Sequence, residues 1–234
     1  MLALKKAGIL RGRWKQWRDR MREQLSFHSK ETSDMISHIT IHPKILYYGA
    51  PVVLLSTENA DGSTNISPIS SSWALGSFVI LGLGVGSQGL ENLKERPACV
   101  INLPDAAMWR QVEALASLTG KNPVPAYKEE IGFRYEKDKF AAGSFTRAAS
   151  KSVCPERIAE CPLHLEAVVR GIRIPEYAES FAIVETEVVQ VHADERIAIG
   201  DRYVDPKAWN PLIYNFRHYF GLGEEKGKTY RSET

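Results

Sequence analysis

The sequence predicts a mainly β protein with minor α content, an antiparallel barrel with peripheral helices. Three observations favour this class. Runs of apolar and β-branched residues are short and end at turn signals, few stretches have helical periodicity, and no alternation of strand and helix is present. We therefore expect antiparallel strand pairing and not a doubly wound parallel sheet.

Composition and size narrow the class further. The chain has 234 residues, 44% hydrophobic and 25% charged, which suffices for a substantial core. A net charge of +2 gives no reason to expect a nucleic-acid partner. The three cysteines form no CxxC pair, so we expect free thiols in a reducing cytoplasm and no metal site. Neither a membrane span nor the apolar core of a signal peptide is present.

Residues 1–34 differ from the rest of the chain and are predicted to form a basic extension, followed by one domain over 35–234. The extension has nine basic and four acidic residues, a net charge of +5. Five apolar residues recur at helical spacing: Leu10, Trp14, Trp17, Met21 and Leu25. Such a helix fits contact with an anionic membrane surface or with a partner protein. The alternatives are a poorly ordered extension or an upstream start, with Met35 as the biological one.

The domain consists of strands with few helices. Strand propensity and turn signals predict strands at 46–57, 78–85, 98–103, 163–171, 181–192 and 196–199. Helical periodicity predicts helices at 90–95 and 105–119. The stretch 120–160 is long and rich in Gly and Pro, which indicates functional cover or an interface. An aromatic tail, 211–223, closes the fold.

The most unusual stretch, 64–73, is polar and lies between apolar strands. The Asp61-Gly62 signal predicts a hairpin turn, so that the stretch runs back beside the preceding strand. Its polar residues are Thr64, Asn65, Ser67, Ser70, Ser71 and Ser72. A core strand does not normally carry so many hydroxyl groups. Either they satisfy one another and the backbone in a serine-rich turn, or they face a polar ligand.

A second polar feature, 86–89, follows the 78–85 strand and precedes a short helix. Backbone N–H groups and the positive end of a helix suit a phosphate group. A simple helix cap by Ser87 or Gln88 is the alternative. If the two polar segments pair as neighbours, residues 67–72 lie near Ser87, Gln88 and Asn92. The candidates to balance a phosphate charge are Lys94, Arg96, Lys151 and Arg157.

Several segments together resemble the flavin reductase-like family of FMN-binding split-barrel proteins. The similar segments are 45–57, 65–72, 87–93, 100–104 and 216–223, within a resemblance that covers about residues 36–223. The resemblance implies a six-stranded Greek-key barrel and a homodimer with FMN at its interface. The implied cofactor is FMN, or FAD, with NAD(P)H as electron donor.

The resemblance also implies a set of site residues. Asn65, Ser67, Ser70, Ser71 and Ser72 would line the flavin ring and ribityl chain. Ser87, Gln88 and Asn92 would contact the phosphate. Family members often have Thr three residues before the loop asparagine, where this chain has Gly89. The lost hydroxyl predicts greater dependence on Ser87, backbone amides and a basic residue, and favours loose flavin binding or use of flavin as substrate.

Two functional hypotheses follow. The first is an FMN-dependent oxidoreductase of the flavin reductase type, with hydride transfer from NAD(P)H to flavin. No GxSxG or HExxH pattern is present, as expected where the cofactor carries the chemistry. The catalytic residues are not predicted. His218 is a candidate to approach the ring, although a lone histidine is more often structural. The second hypothesis is a non-catalytic flavin-binding carrier or sensor.

Overall fold

The computed structural model describes residues 36–230 and residue 232. Residues 36–44 contain no helix or strand and lie outside the compact unit that starts at Ile45. The basic helix predicted within residues 1–34, and the domain boundary after residue 34, fall outside the described residues. Both therefore remain predictions.

The strands belong to the unit that starts at Ile45. In chain order they are β1 (Tyr48–Pro51), β2 (Val53–Glu58), β3 (Thr64–Ile69), β4 (Ser72–Leu75), β5 (Phe78–Gly84), β6 (Ala98–Leu103), β7 (Leu118–Thr119), β8 (Arg134–Tyr135), β9 (Arg147–Ala148), β10 (Arg157–Ile158), β11 (Leu163–Arg173), β12 (Phe181–Ala193), β13 (Ala198–Ile199), β14 (Tyr203–Val204), β15 (Ile213–Asn215) and β16 (His218–Phe220).

The helices of the described residues are short. They are α1 (Gln88–Glu95), a 3-10 turn (Ala106–Met108), α2 (Trp109–Ala114), α3 (Ala126–Glu129) and α4 (Lys139–Ala142). Among them, none has the length and apolar character needed to cross a membrane.

Seven antiparallel strands form the main sheet, in the order β3-β2-β6-β11-β12-β5-β4. β3 and β4 lie at opposite edges, yet only Ser70 and Ser71 separate them along the chain. Three peptide steps span at most ~11 Å, whereas the edges of a flat seven-stranded sheet lie roughly 28 Å apart. The sheet therefore curls and forms a split barrel, as the sequence predicts. It has one strand more than the resemblance implied, because β4 forms a separate edge strand.

Both faces of the sheet are covered, and β2 shows how. Successive side chains of a strand point to opposite faces. Leu54 packs in an outer cluster with the 105–160 segment, whereas Val53 and Leu55 pack inside the barrel. The inner cluster includes Leu90 and Leu93, so that α1 is fixed by its apolar face against the barrel interior. The polar start of α1 is thereby held at one place on the barrel.

Two predicted elements are divided in the structure, and of the predicted strand 196–199 only Ala198–Ile199 (β13) is a strand. The predicted strand 46–57 is divided into β1 and β2, because Pro51 has no N–H group and the amide of Val52 donates to Leu212 O (2.8 Å) outside the main sheet. The predicted helix 105–119 is instead a 3-10 turn, a short α2 and the strand β7. Leu118 and Thr119 leave the helix because they pair with β8.

The cysteines are free thiols, as predicted. Cys99 and Cys161 are buried, and Cys154 is exposed. Burial raises the pKa of Cys99 to about 12, and burial also raises the pKa of Cys161. A thiol with a raised pKa remains protonated and unreactive near neutral pH, so both buried cysteines act as small core residues.

Candidate functional site

A cleft of about 740 Å³ lies where the end of β3, the end of β5 and the start of α1 meet. Five of the predicted site residues line it: Ser67, Ser70, Ser71, Ser87 and Gln88. Its other walls come from the 112–139 segment and from the C-terminal hairpin of β15 and β16. A cavity of ~300–1,000 Å³ is typical of cofactor and substrate sites.

The serines lie where the chain passes from β3 at one edge of the sheet to β4 at the other edge; residues 67–71 are called the crossing. Ser67 is on β3, and Ser70 and Ser71 form the link to β4. The hydroxyl of Ser71 donates to Gly82 O (2.7 Å), and the amide of Gly82 donates to Ser71 O (2.7 Å). Pairing with β5 therefore begins at Ser71, and these hydrogen bonds fix the position of the segment at the cleft. Ser70 makes no side-chain hydrogen bond with any residue that the structure describes, so its hydroxyl is available to a ligand.

The first turn of α1 forms the second polar wall. Ser87 is the N-cap, and its hydroxyl accepts a hydrogen bond from the amide of Leu90 (3.3 Å). The amides of Gln88 and Gly89 donate to no group in the described chain. A Cβ at Gly89 would lie only 3.2 Å from Ser67 Oγ, so glycine permits the close approach of α1 to β3. Two unused N–H groups at a helix N-terminus are suited to an anion.

Three predicted site residues do not line this cleft. Asn92 is buried and bridges α1 to the β2–β3 hairpin, because its amide donates to Thr57 Oγ1 (3.0 Å) and Asn59 Oδ1 (2.9 Å). Its Oδ1 accepts from Gln88 Nε2 (2.8 Å), which positions the cleft residue. Asn65 is also buried, and its Nδ2 donates to Ser67 Oγ (3.2 Å). Ser72 begins β4 and pairs with Leu81.

The two polar segments are expected from the sequence to pair as neighbouring strands. Only the C-terminal part of the first segment pairs, and it pairs with β5, which precedes the second segment. β3 pairs with β2 alone, and β4 is the neighbour of β5. The curl of the sheet, and not direct pairing of β3 with β5, brings Ser67 to the start of α1. The predicted proximity therefore holds for Ser67, Ser70 and Ser71, which share the cleft with Ser87 and Gln88, although its structural cause is different.

None of the basic residues proposed from the sequence lines the cleft. Arg96 donates to Glu58 O (2.8 Å), and Arg157 donates to Ala149 O (2.9 Å). Lys94 and Lys151 are exposed and lie away from the cleft. The prediction of these four as phosphate partners is wrong for this cleft. Spacing along the chain does not indicate which lysines of the 120–160 segment reach the cleft when that segment packs on the barrel.

Lys139 is the buried cation of the cleft. Its side chain is 3% exposed, and Nζ donates to Asn65 Oδ1 (3.0 Å) and Ile66 O (2.8 Å). Burial lowers the pKa of Lys139 to about 8; Lys128 lowers it further and Glu136 opposes the shift. Lys128 also lines the cleft, and burial together with Lys121 lowers its pKa.

Aromatic residues from distant parts of the chain complete the cleft. They are Tyr47, Phe133, Phe181, Tyr214 and Tyr219. Tyr214 and Tyr219 pack together at a centroid distance of 5.7 Å, and Tyr219 Oη donates to Glu113 (2.9 Å). The aromatic tail is visible in the sequence, but no local pattern assigns these side chains to a site. His218 lines a separate cavity of about 540 Å³ and is not on the cleft.

These features suit a planar ligand that carries a phosphate group. Apolar and aromatic surfaces offer contact to a flat ring, and the serine hydroxyls offer hydrogen bonds at its edge. The unused amides of α1, together with Lys128 and Lys139, offer a site for negative charge. The residues present therefore fit a flavin nucleotide.

Comparisons with known proteins agree with the fold. Residues 45–223 match the sequence model described as "Flavin reductase like domain". The chain is 54% identical over 194 residues to the uncharacterized protein YdfE of Bacillus subtilis (strain 168), covering 83% of this chain and 94% of that protein. Flavoredoxin of Desulfovibrio vulgaris (Miyazaki F) has a similar structure, with a TM-score of 0.70, 20% identity, and coverage of 85% and 100%. The Streptomyces globisporus C-1027 NADH:FAD oxidoreductase SgcE6 gives a TM-score of 0.59, 11% identity, and coverage of 81% and 100%.

Fold and cleft define a split-barrel protein with a site suited to a flavin nucleotide. The chain belongs to the flavin reductase-like family. Membership supports a flavin cofactor and a flavin-linked oxidoreductase function. The family resemblance seen in the sequence is thereby confirmed.

Proposed function

We propose that the protein is an FMN-binding oxidoreductase that transfers hydride from NAD(P)H to flavin. One observation carries this proposal: the serine-lined crossing of the barrel and the unused amides of α1 open into the same cleft. The name of the similar Streptomyces protein, NADH:FAD oxidoreductase, supports the same reaction class. A bound flavin supplies the hydride-accepting chemistry.

The residues of the chain bind and orient the two nucleotides. Ser67 and Ser70 would donate hydrogen bonds to the polar edge of the ring and to the ribityl chain, whereas Ser71, whose O–H donates to Gly82 O, would offer only a lone pair. The amides of Gln88 and Gly89 hold the phosphate at the start of α1. Asn65 and Asn92 do not line the cleft; their hydrogen bonds position the side chains of Ser67 and Gln88, which do. Ser72 contributes its backbone to the start of β4 and not its side chain.

Among the described residues, the titratable groups that line the cleft are lysines and tyrosines. No Asp, Glu, His or Cys is among its lining residues. Hydride transfer between two bound cofactors needs positioning and a suitable electrostatic field rather than a protein acid or base. The composition of the cleft is therefore compatible with this reaction and lacks the carboxylate pair that glycosyl transfer uses.

We also propose that the protein forms a homodimer through the face of β4 and β5. Trp73 is 60% exposed, and Leu75 is 73% exposed. Leu75 lies directly opposite Phe78, which is 44% exposed, so the three form an exposed apolar patch on neighbouring strands. Large exposed apolar patches are typical of association surfaces.

The test measures NAD(P)H consumption by the full chain with FMN, under conditions in which free FMN alone reacts slowly. We expect consumption well above the free-flavin background, and a lower rate for Ser70→Ala with Ser180→Ala as the matched control. Flavin binding without consumption of NADH or NADPH would overturn the reductase assignment and favour a carrier or sensor.

A further inference from the structure

Lys139 carries a buried charge that no described residue neutralises. Its Nζ bonds only to neutral oxygens, Asn65 Oδ1 (3.0 Å) and Ile66 O (2.8 Å). No described carboxylate forms a salt bridge with it. An ammonium group has three donors, so one remains for a further partner. A buried charge without an opposite charge is costly, unless a ligand supplies that charge.

Lys139 lies close to the end of the cleft that is suited to a phosphate group. Lys139 lines the cleft, and Asn65 connects its Nζ to the hydroxyl of Ser67. Ser67 Oγ lies next to Gly89 in the first turn of α1, where two amides are unused. The buried ammonium and the helix N-terminus are therefore both linked to Ser67 on the lining of one cleft, where an anion could contact both.

The charged groups around Lys139 do not provide a counter-charge at Nζ. Lys128 repels its charge from α3, and Glu136 attracts it without forming an ion pair. Asp138, the N-cap of α4, accepts instead from the amide of Ala141 (3.1 Å) and from Arg147 (2.7 Å). Burial therefore dominates the electrostatics of the free protein at this residue.

We propose, building on the function proposed above, that Lys139 is a specificity-determining residue that selects the monoester phosphate of FMN. A phosphate monoester carries about −1.5 to −2 charges at neutral pH, more than each diester phosphate of FAD, and riboflavin carries none. Contact with the phosphate keeps Lys139 protonated in the complex. The chain thereby replaces the hydroxyl contact that is missing at Gly89 with a buried cation.

This role makes FMN binding depend on proton uptake. The pKa of Lys139 is about 8 in the free protein, and a phosphate in contact raises the pKa in the complex. Affinity is greatest between the second pKa of the phosphate, about 6, and the free-state pKa of Lys139, and falls by up to about tenfold per pH unit above the latter until the pKa of the complex is reached. Lys128 also has a lowered pKa and lines the cleft, so its contribution needs a separate variant.

The experiment is calorimetric titration of the full chain with FMN, FAD and riboflavin in buffers of different ionisation enthalpy. Lys139→Gln removes the charge and keeps a polar side chain, and Lys94→Met is a control that removes an exposed charge from α1. Lys128→Met separates the second lysine. Circular dichroism and thermal melting verify that each variant is folded.

At about pH 9, where Lys139 is mostly neutral in the free protein, we expect wild type and Lys94→Met to take up close to one proton per FMN. Lys139→Gln should take up much less and bind FMN about 10- to 100-fold more weakly at neutral pH. Its affinity for FAD should change less, and its affinity for riboflavin should not change.

Absence of proton uptake by wild type while FMN binds would overturn the proposal, even if Lys139→Gln fails to fold. Equal weakening of FMN and riboflavin binding by Lys139→Gln would also overturn it, because the residue would then act on the ring or on the structure. If no flavin binds to wild type, the proposed function fails as well. Riboflavin binding without any preference for FMN would remove only the phosphate selection.

Discussion

Ser70 and Ser71 show how single residues of the crossing divide between structure and binding. Ser71 uses its hydroxyl within the protein, where it donates to Gly82 O (2.7 Å). Ser70 has no such bond with the described residues and is half-buried at the cleft. Ser71 of the polar stretch therefore has a structural role, and Ser70 is available for the proposed ligand contact.

The double variant Ser70→Ala, Ser71→Ala should weaken FMN binding by about 1–3 kcal/mol, roughly 5- to 150-fold, because the ligand loses the Ser70 donor and the cleft wall loses the bond from Ser71 to Gly82 O. The thermal midpoint should fall by only a few degrees, because Gly82 O loses one partner. Fluorescence titration and thermal melting provide the comparison, with the exposed Ser180→Ala as control. A large loss of stability with unchanged FMN affinity would leave only the turn interpretation.

Lys139 marks the limit of prediction at the residue scale. Serines and an asparagine concentrated within ten residues are visible in any reading of the sequence. A lysine between Asp138 and Phe140 has no local pattern that indicates burial. Its environment is created by Asn65 and Ile66, which are 74 and 73 residues away in the chain. Contacts of this kind depend on tertiary packing and are not encoded in local periodicity.

Among the elements, strands were predicted more accurately than helices. β6 was predicted with its observed bounds, and β5, β11 and β12 differ from their predicted bounds by at most two residues at either end. Apolar and β-branched residues bounded by turns define such strands locally. The 105–119 segment was wrong because its helical periodicity continues beyond the point where pairing with β8 takes over. Tertiary pairing there overrides local propensity.

Glu166, on β11, anchors the backbone of Lys151 and Ser152, in the 120–160 segment, to the sheet. Its buried carboxylate accepts from the amides of Lys151 (2.8 Å) and Ser152 (2.5 Å) and bonds to His192 Nε2 (2.7 Å). Burial alone would raise the pKa of Glu166, but these hydrogen bonds together outweigh it and lower the pKa. The carboxylate form is therefore the one that holds the loop on the sheet.

Replacing Glu166 by Gln should lower the free energy of unfolding by about 1.5–3 kcal/mol at neutral pH, because a charge-assisted acceptor is lost. A lowered folded-state pKa stabilises the protein above the unfolded pKa of about 4.3 and loses that effect as the pH falls through the folded value. The difference from wild type should therefore shrink below about pH 4.3. Denaturant unfolding at several pH values, with Glu179→Gln as control, tests this. A difference that does not vary with pH would contradict the assigned role.

At the scale of the whole molecule, barrel closure creates the cleft. The short link of Ser70 and Ser71 between opposite edges forces the sheet to curl, and α1 packs into the interior that results. The fold class followed from the strand pattern and turn signals. The position of the cleft followed only in part, because the contribution of the 112–139 segment depends on long-range packing. The homodimer rested on family resemblance alone.

The proposed homodimer predicts that Trp73→Glu will dissociate the protein. A charge at the centre of a buried apolar interface carries a desolvation cost that association cannot recover. Sedimentation velocity should show a dimer for wild type and a monomer for the variant, whereas Tyr177→Glu, which changes an isolated exposed aromatic residue, should remain dimeric. A monomeric wild type at micromolar concentration would remove this assignment.

The most direct test of the central claim is the visible absorption spectrum of the purified full chain, titrated with FMN and then mixed with NAD(P)H without oxygen. We expect a saturable shift of the flavin bands at micromolar FMN, followed by bleaching faster than that of free FMN. Ser180→Ala should behave like wild type, and the Ser70→Ala, Ser71→Ala variant should need more FMN. If neither FMN nor FAD binds at micromolar concentration, the cleft is not a flavin site and the proposed function is wrong.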